Sequence, residues 1–382
     1  MRIAAITNSR IPSLTANSIQ AMQVTQALLE LGHEVRMFAP RETDRPAPAS
    51  LLAHYGLHRV PELEQLASRP RFKRFDFILL AQYAASRWHP GLIYTWLPQS
   101  AVLGLWAGLP VVLEMHADVS GRMGAWWLRR FWRTRGRKLM TVTTQALLQA
   151  LERSTGLKFP GDQVLIATNG VDLESYAGLP SPEEARRRLN LLPGLTAGFT
   201  GHIYPGRGAE LLFELARQLP QLNFLWVGGT PDLVETWRGR LHESGITNVT
   251  MTGFLEHRQI PLHQAAADIL LMPYSRSIEA SSGQDIGEVI NPMKMFEYMA
   301  AERAIVSADL PSIREVLNEN NAVLCRPGDV NAWKEAIEAL LLDEARRLEL
   351  GRRARLFVEE FTWRAREQRI LSLGGFLTPG DR

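Results

Sequence analysis

The feature that most constrains the fold is a repeated order of short strand-like and helical segments. Residues 2–7 predict a short strand, residues 17–31 have helical spacing, and residues 34–38 predict the next strand. Gly32 follows the helical segment, as is typical of a helix end, because glycine adopts the left-handed backbone without steric cost. This order predicts βαβ units, in which parallel strands are covered by helices. The expected fold class is therefore α/β with doubly wound sheets.

A second series of the same kind begins at Ala197-Gly-Phe-Thr-Gly201, which predicts a strand and a turn. We therefore predict an N-terminal Rossmann-like domain over residues 1–180 and a C-terminal one over residues 195–360. A last helix is expected within residues 361–382. With 382 residues and 46% hydrophobic content, the chain is long enough to bury two cores.

Residues 90–113 contain no charged residue. Prolines and glycines interrupt the stretch, whereas a membrane-spanning helix needs roughly 20 continuous apolar residues. We interpret it as a buried βαβ unit. The N-terminus lacks the apolar core of a signal peptide, and the single cysteine, Cys325, excludes an intramolecular disulfide. We expect a cytoplasmic protein in which Cys325 is a buried structural thiol.

The first βα loop, residues 8–17, contains no glycine. It therefore cannot form the G-x-G-x-x-G turn of a nicotinamide or flavin fold, which argues against an oxidoreductase. Asn17 and Ser18 either cap the following helix or face a ligand.

A helix is predicted over residues 291–300, with Asn291 as its cap and Pro292 as its first helical residue. Lys294 and Glu297 lie three residues apart in its first two turns. A helix N-terminus and a nearby lysine suit a diphosphate, and a glutamate can accept hydrogen bonds from the hydroxyls of a ribose. The alternative is a solvated surface pair worth a few tenths of a kcal/mol. Lysine occurs at only five positions, which favours a specific role for Lys294.

The run from Asn291 to Ala300, followed by a strand and Ser307-Ala-Asp-Leu-Pro-Ser-Ile-Arg-Glu315, resembles the donor-binding signature of the retaining glycosyltransferases of family 4. These are the sucrose-synthase-like, or group 1, enzymes. The resemblance implies the GT-B fold: two Rossmann-like domains face a cleft, and the C-terminal helix crosses back to the N-terminal domain. It also implies transfer of a sugar from a nucleoside diphosphate sugar to an acceptor hydroxyl, without a cofactor or a bound metal. The acceptor would be a cell-surface polysaccharide, a glycolipid or a related glycan.

The loop from His202 to Gly208 is rich in glycine and contains Arg207. Backbone N–H groups and a guanidinium suit a phosphate. In the family, a glycine and usually two basic residues meet the donor diphosphate at this point. Gly201, Arg207 and Gly208 match that pattern, and His202 replaces the first basic residue. The alternative is that the two glycines serve only the turn and the helix cap.

Gly253-Phe-Leu255 resembles the corner that binds the nucleobase in the family, mainly through its backbone. The resemblance therefore assigns Phe254, Leu255 and Asn291 to donor binding. It assigns Lys294 to the diphosphate and Glu297 to the ribose.

Many family members have an acidic residue eight positions before this glutamate. In this chain that position is Val289, while Glu288 is one residue away and Asp285 four. The first acid of the motif is therefore unassigned.

Residues 111–118 form an apolar run that ends in polar residues. Ligands bind at the carboxyl ends of strands in parallel sheets. Glu114 and His116 alternate to one face, and the resemblance implies that His116 contacts the transferred sugar. Glu114 or Asp118 could hold its tautomer; the alternative is a purely structural histidine. The candidate catalytic residues are His116, Arg207 and Lys294.

The segment Trp126–Arg137 interleaves arginines with large aromatic residues. Such a helix can lie in an anionic membrane interface, which would place the protein peripherally at the inner membrane face. Alternatively, Trp127, Leu128 and Phe131 form a core face and the arginines are solvated. Nucleic-acid binding is disfavoured because the formal net charge is only +3 and no nucleic-acid motif is present.

Two other functions remain open at this point. A hydrolysing nucleotide-sugar epimerase has the same fold and would process the donor without an acceptor. A degenerate module would bind a nucleotide without turnover, which His202 and Val289 make conceivable.

Overall fold

A computed structural model describes residues 1–41, 46–72, 74–119, 121–278 and 285–377. The chain divides into a first unit, residues 1–169 with 363–382, and a second unit, residues 170–362. The division lies before residue 180, the expected end of the first domain. The reason is that Val171 and Tyr176 are already buried in the core of the second unit.

The first unit alternates strands and helices. Up to residue 169 they are β1 (Arg2–Ile6), α1 (Ala16–Glu30), β2 (Glu34–Pro40), α2 (Pro48–Tyr55), β3 (Glu62–Leu66), α3 (Phe75–Arg87), β4 (Leu92–Thr95), α4 (Pro98–Trp106), β5 (Val111–Met115), α5 (Gly121–Arg133), β6 (Lys138–Val142), α6 (Gln145–Thr155) and β7 (Val164–Ile166). The strands form one parallel sheet in the order β3-β2-β1-β4-β5-β6-β7. The order reverses between β1 and β4, a position where parallel α/β sheets bind ligands.

The second unit repeats this plan. Its elements are α7 (Pro182–Arg188), β8 (Thr196–Thr200), α8 (Ala209–Gln218), β9 (Asn223–Val227), α9 (Pro231–Glu243), β10 (Val249–Gly253), α10 (Ile260–Ala265), β11 (Ile269–Met272), α11 (Met293–Ala300), β12 (Ala304–Ala308), α12 (Pro311–Arg314), β13 (Val323–Cys325), α13 (Val330–Leu342) and α14 (Glu344–Phe357). The strands form a parallel sheet in the order β10-β9-β8-β11-β12-β13, which reverses between β8 and β11.

The chain ends with α15 (Trp363–Leu373), which packs against α1 and belongs to the first unit. Ile370 and Leu371 of α15 are fully buried. Two doubly wound α/β units and a last helix that returns to the first unit are the fold that the sequence predicted.

The uncharged stretch of residues 90–113 forms β4, α4 and most of β5, as predicted. Every residue of β4 and β5 is buried, which explains why their sequences are apolar without alternation. In the part of the chain that the structure describes, no helix is long and apolar enough to cross a bilayer.

Cys325 lies at the end of β13 and is buried. Burial raises the pKa of its thiol to about 11, with a further contribution from Asp329. A thiol of this kind is protonated and unreactive near neutral pH, in agreement with a structural role.

Candidate functional site

The helix predicted to bind an anion begins later than expected. α11 starts at Met293, and Pro292 precedes it with an extended backbone, φ −77° and ψ 132°. The predictions that Pro292 is the first helical residue and that Asn291 caps the helix are therefore wrong. No side chain caps α11; the carbonyl of Pro292 instead accepts a hydrogen bond from the N–H of Met295 at 3.1 Å. Asn291 is buried beside this helix start.

Lys294 is buried and lies against aromatic rings. It is 8% exposed, and its Nζ lies 4.0 Å from the ring centre of Phe199 and 5.4 Å from that of Tyr274. Among the described residues, no acceptor forms a hydrogen bond with Nζ. Burial, and next the charge of Arg207, hold the pKa of Lys294 well below its usual value. The interpretation of Lys294 as half of a solvated surface pair is therefore wrong.

Gly201 makes room for this lysine at the end of β8. Its φ is +132°, and a Cβ there would lie 2.7 Å from Nζ of Lys294. Gly208 has φ +89°, and its Cβ would lie 2.0 Å from the carbonyl oxygen of Pro273. Both positions therefore require glycine for backbone conformation and for close packing. The loop between them brings Arg207 to 6.0 Å from the ring centre of Tyr274, the ring that also faces Lys294.

Glu297 lies one turn further along α11 and is held by two side chains. His257 Nε2 lies 3.1 Å from Glu297 Oε1, and Gln264 Nε2 donates to Glu297 Oε2 at 3.2 Å. Gln264 is itself oriented by the hydroxyl of Tyr176, which donates to its Oε1 at 2.9 Å. The carboxylate is therefore fixed in place before any ligand arrives.

The two partners shift each other's pKa. Burial alone would lower the pKa of His257, but the hydrogen bond and the charge of Glu297 outweigh it and raise that pKa. Burial alone would raise the pKa of Glu297, but the hydrogen bond and charge of His257, with help from Gln264 and Lys294, lower it. Glu297 is therefore ionised at neutral pH and accepts hydrogen bonds only.

The remaining donor-site candidates of the second unit lie in loops. The ring of His202 stacks on Tyr204, with centroids 4.9 Å apart. Phe254 is 43% exposed, while Leu255 packs on a small cluster that includes Leu225 and Val227. An exposed aromatic ring at this loop can stack on a planar base.

The residues near the missing acid do not supply one. Val289 is buried and Glu288 is exposed. The carboxylate of Asp285 accepts hydrogen bonds from the backbone N–H groups of Ile278 and Gly287, both at 2.9 Å, and so holds its own loop. The first acid of the motif stays unassigned.

In the first unit, His116 follows β5 and contacts Glu114. Their Nε2 and Oε1 atoms are 2.7 Å apart. Of the two residues proposed to hold this ring, Asp118 is excluded by its contacts: its carboxylate pairs with Ser154 and with the N–H of Val119. Glu114 is only 1% exposed. Burial would raise its pKa, but Arg366, His116 and the other donors around it outweigh this and lower the pKa to about 2.

The segment Trp126–Arg137 begins within α5. The buried side of α5 consists of Ala125, Leu128 and Phe131, so the predicted core face is right for Leu128 and Phe131, while Trp127 is only half-buried. Trp126 is 48% exposed. Neighbouring arginines are exposed as well: Arg122, Arg130, Arg133, Arg135 and Arg137.

The expected capping of α1 by Asn17 or Ser18 is wrong. The cap position is Thr15, and no side chain caps the helix. Ser18 is buried and donates to the carbonyl oxygens of Ser13 and Thr15, whereas Asn17 is exposed.

Sequence reasoning missed several residues that surround the two glutamates. They are His257 and Gln264 at Glu297, and Gln20, Tyr94, Arg366 and Glu367 at Glu114. His257 follows the predicted nucleobase corner by two residues, and this proximity was the one available signal in the sequence. For the others, the separation in sequence left none.

Comparison with known proteins matches both halves of the chain to glycosyltransferases. A family model described as "Glycosyltransferase Family 4" matches residues 18–175, and one described as "Glycosyl transferases group 1" matches residues 194–343. A GDP-mannose-dependent alpha-mannosyltransferase of Mycolicibacterium smegmatis is 24% identical and covers 95% of this chain and 94% of its own length.

A Bacillus subtilis protein, named as a glycosyltransferase of teichuronic acid biosynthesis, is 31% identical over 40% of this chain and 36% of its own length. The chain spans about half or less of several curated relatives that it matches. Among solved structures, Anabaena HepE in complex with UDP-glucose superimposes with a TM-score of 0.75 at 18% identity, covering 99% of this chain and 100% of that one. This last likeness shows a shared fold.

Proposed function

Because the chain belongs to the family 4 (group 1) glycosyltransferases, we propose that it transfers a sugar from a nucleoside diphosphate sugar to an acceptor hydroxyl with retention of configuration. The observation that carries the proposal is the buried ammonium of Lys294, which has no acceptor among the described residues. Burial and the like charge of Arg207 make its charged form costly, and the charge of Glu297 offsets this cost only in part. A diphosphate entering beside Lys294 and Arg207 would offset that cost.

The second unit has a matching place for the ribose. The carboxylate of Glu297 offers about four lone-pair positions, of which His257 and Gln264 occupy two. The remaining ones can accept the two ribose hydroxyls. The exposed ring of Phe254 would stack on the base, and His116 of the first unit would contact the transferred sugar.

These residues stabilise the leaving group electrostatically. When the bond between the anomeric carbon and the donor phosphate breaks, charge develops on the diphosphate, where Lys294, Arg207 and the start of α11 stabilise it. The acceptor oxygen bonds to the anomeric carbon on the same face, and its proton passes to the departing phosphate. This proposal uses no bound metal, so transfer should persist in the presence of a chelator.

The first test is thermal stabilisation by UDP, GDP, ADP and dTDP. A ligand at a hundred times its Kd adds about 2.7 kcal/mol to stability. One nucleotide should shift the melting transition, and Lys294→Ala and Glu297→Ala should abolish the shift. Lys334→Ala is the control, because Lys334 pairs with Glu338 on the surface of α13. A folded wild type that responds to none of the four nucleotides would refute the proposal.

Turnover then separates the remaining functions. A transferase consumes the donor sugar in proportion to an added acceptor, and the anomeric proton signals of the product report retention. An epimerase would consume the donor without an acceptor, and a degenerate module would bind the nucleotide without consuming the donor. A cell-surface polysaccharide precursor is the first acceptor class to test, given the Bacillus subtilis relative.

We further propose that the acceptor is lipid-linked and that the first unit binds an anionic bilayer. α3 packs on α4 and α4 on α5, and α3 exposes Phe75, Leu79 and Tyr83 at helical spacing. On α5, Met123 is 62% exposed, and residues 121–138 contain arginines and a lysine but no acid. Exposed apolar side chains among cations are typical of a helix at an anionic membrane interface.

Vesicle sedimentation tests this surface. The protein should bind vesicles of phosphatidylglycerol and not vesicles of phosphatidylcholine, and Met123→Ser with Leu79→Ser should weaken the binding. Leu348→Ser is the matched control, because Leu348 is equally exposed but lies in the second unit. Equal binding to both vesicle types, or none to either, would contradict the membrane assignment.

A further inference from the structure

The carboxylate of Glu114 is surrounded by donors that come from distant parts of the chain. Its Oε1 accepts from Gln20 Nε2 at 2.7 Å and from Arg366 Nη2 at 2.6 Å, in addition to its contact with His116. Its Oε2 accepts from the hydroxyl of Tyr94 and from Arg366 Nη1 at 3.3 Å. Only His116 of this group is partly exposed, with 24% of its side chain accessible.

Arg366 is held in turn by other groups of the first unit. Its Nη1 pairs with the neighbouring carboxylate of Glu367, and its Nε donates to the carbonyl oxygen of Thr168 at 2.7 Å. Two buried carboxylates therefore share one guanidinium. Burial raises the pKa of Glu367 to about 7, with a further contribution from Glu114, whereas the pKa of Glu114 is lowered to about 2. Glu114 accepts from Gln20, Tyr94 and Arg366, and so carries a negative charge more readily than Glu367 does.

An ionised carboxylate can only accept hydrogen bonds. The Nε2 atom of His116 must then carry its proton toward Glu114, and in the neutral ring Nδ1 is left with a lone pair. We propose that α15 determines this role: Arg366, held by Glu367, keeps Glu114 as an acceptor, and His116 thereby presents Nδ1 as an acceptor to a hydroxyl of the transferred sugar. Arg366, Glu367 and Tyr94 are positioning residues in this proposal, which rests on the proposed function.

The alternative is that the cluster only attaches α15 to the sheet. In that case its loss would lower stability and activity in general, whatever residue stands at position 116. The proposal requires instead that every effect of Glu114 on turnover passes through the His116 ring. This difference can be measured with the full-length protein.

The first measurement is the ¹⁵N spectrum of the histidine rings, with His116 assigned from the spectrum of His116→Gln. In the neutral tautomer of the wild-type ring, the proton should lie on Nε2, toward Glu114. Glu114→Gln should change that pattern, and Asp118→Asn should not, because Asp118 pairs with Ser154 and not with His116. A wild-type ring protonated on Nδ1 would overturn the proposal, and this result needs no variant of Glu114 to fold.

The second measurement is a double-mutant cycle on kcat. Glu114→Gln should lower kcat roughly tenfold or more and leave the donor KM within about twofold. In a His116→Ala background the same change should have almost no further effect, because interacting residues are not additive. Additive losses would show a merely structural role and overturn the proposal. A wild type without turnover would refute the proposed function, while the ring spectrum would still decide the tautomer.

Discussion

Each of the two units holds a histidine against a glutamate, and the two pairs differ in how their charge is balanced. In the first unit, Glu114 faces Arg366, so the buried carboxylate has its own cation. In the second unit, Glu297 faces His257, while the nearby Lys294 has no acceptor among the described residues. A cluster whose buried charges are paired keeps its conformation without a ligand. A cluster with a cation that lacks an acceptor is stabilised when an anion binds.

The two clusters also differ in their proposed roles: the one around Glu114 positions His116, and the one around Lys294 binds the donor. The contacts of Glu114 come from α1, β4 and α15 and fix one ring nitrogen of His116. Lys294 lies against two aromatic rings; burial and the like charge of Arg207 lower its pKa, the charge of Glu297 opposes them, and no acceptor among the described residues bonds to its Nζ. We therefore propose that the donor binds to the second unit.

The largest expected effect is on stability, from Arg366→Met. Removing one partner of a buried ion pair costs about 3–5 kcal/mol, because the other charge is left uncompensated. Urea unfolding of the first unit should show this loss, and nucleotide binding by the second unit should survive it. Arg364→Met, at an exposed position on the same helix, should change stability by less than about 0.5 kcal/mol. Equal effects of the two variants would contradict the charge balance described for Glu114.

Lys294→Met should weaken nucleotide binding and leave stability intact, the reverse of the result expected for Arg366→Met. Hydrogen bonds to charged groups contribute about 1.5–3 kcal/mol, so calorimetric titration should show nucleoside diphosphate affinity reduced by about one to two orders of magnitude. The melting temperature should stay constant or rise, because a buried amino group with no acceptor among the described residues is replaced by an apolar side chain among aromatic rings. Lys334→Met is the control on the surface of α13. A lower melting temperature with unchanged affinity would mean that Lys294 is structural.

Glu367→Gln should change the pH dependence of stability. The pKa of Glu367 is raised to about 7 in the folded protein, against roughly 4.3 in an unfolded chain. Its protonated form therefore favours the fold: the contribution is complete below the unfolded value and is lost as pH rises through the folded value. Relative to the wild type, the variant should gain on the order of 2 kcal/mol between pH 5 and pH 8. A difference that stays constant with pH in urea unfolding would refute this expectation.

His257→Asn is expected to have the smallest effect. The pKa of His257 is raised in the fold, so protonated His257 stabilises the protein fully below about pH 6.5, its unfolded value. This stabilisation is lost as pH rises through the folded value. Relative to the wild type, the variant should therefore lose stability as pH falls from 9 to 5, which urea unfolding at each pH would show; a difference that stays constant with pH would contradict this expectation. His242→Asn, at an exposed position of α9, is the control variant.

Much of the second unit's site could be predicted from the chain because its residues lie in local patterns. Lys294 and Glu297 share one helix, and Gly201, Arg207 and Gly208 share one loop. The helix start was predicted one residue too early, because Pro292 is compatible both with a cap position and with a first helical position. The partners of Glu297 could not be predicted, since His257 is 40 residues away from it.

The sequence by itself determined the alternation of strands and helices, the two α/β units, the family and the identity of the charged residues near each strand end. Periodicity carries this information because it records the neighbours of a residue along one helix or strand. Only the tertiary structure decided that Lys294 is buried with no acceptor among the described residues and that Arg366 compensates Glu114 from 252 residues away. Burial and pairing depend on which strands and helices become neighbours in space, and a local sequence pattern does not specify these neighbours.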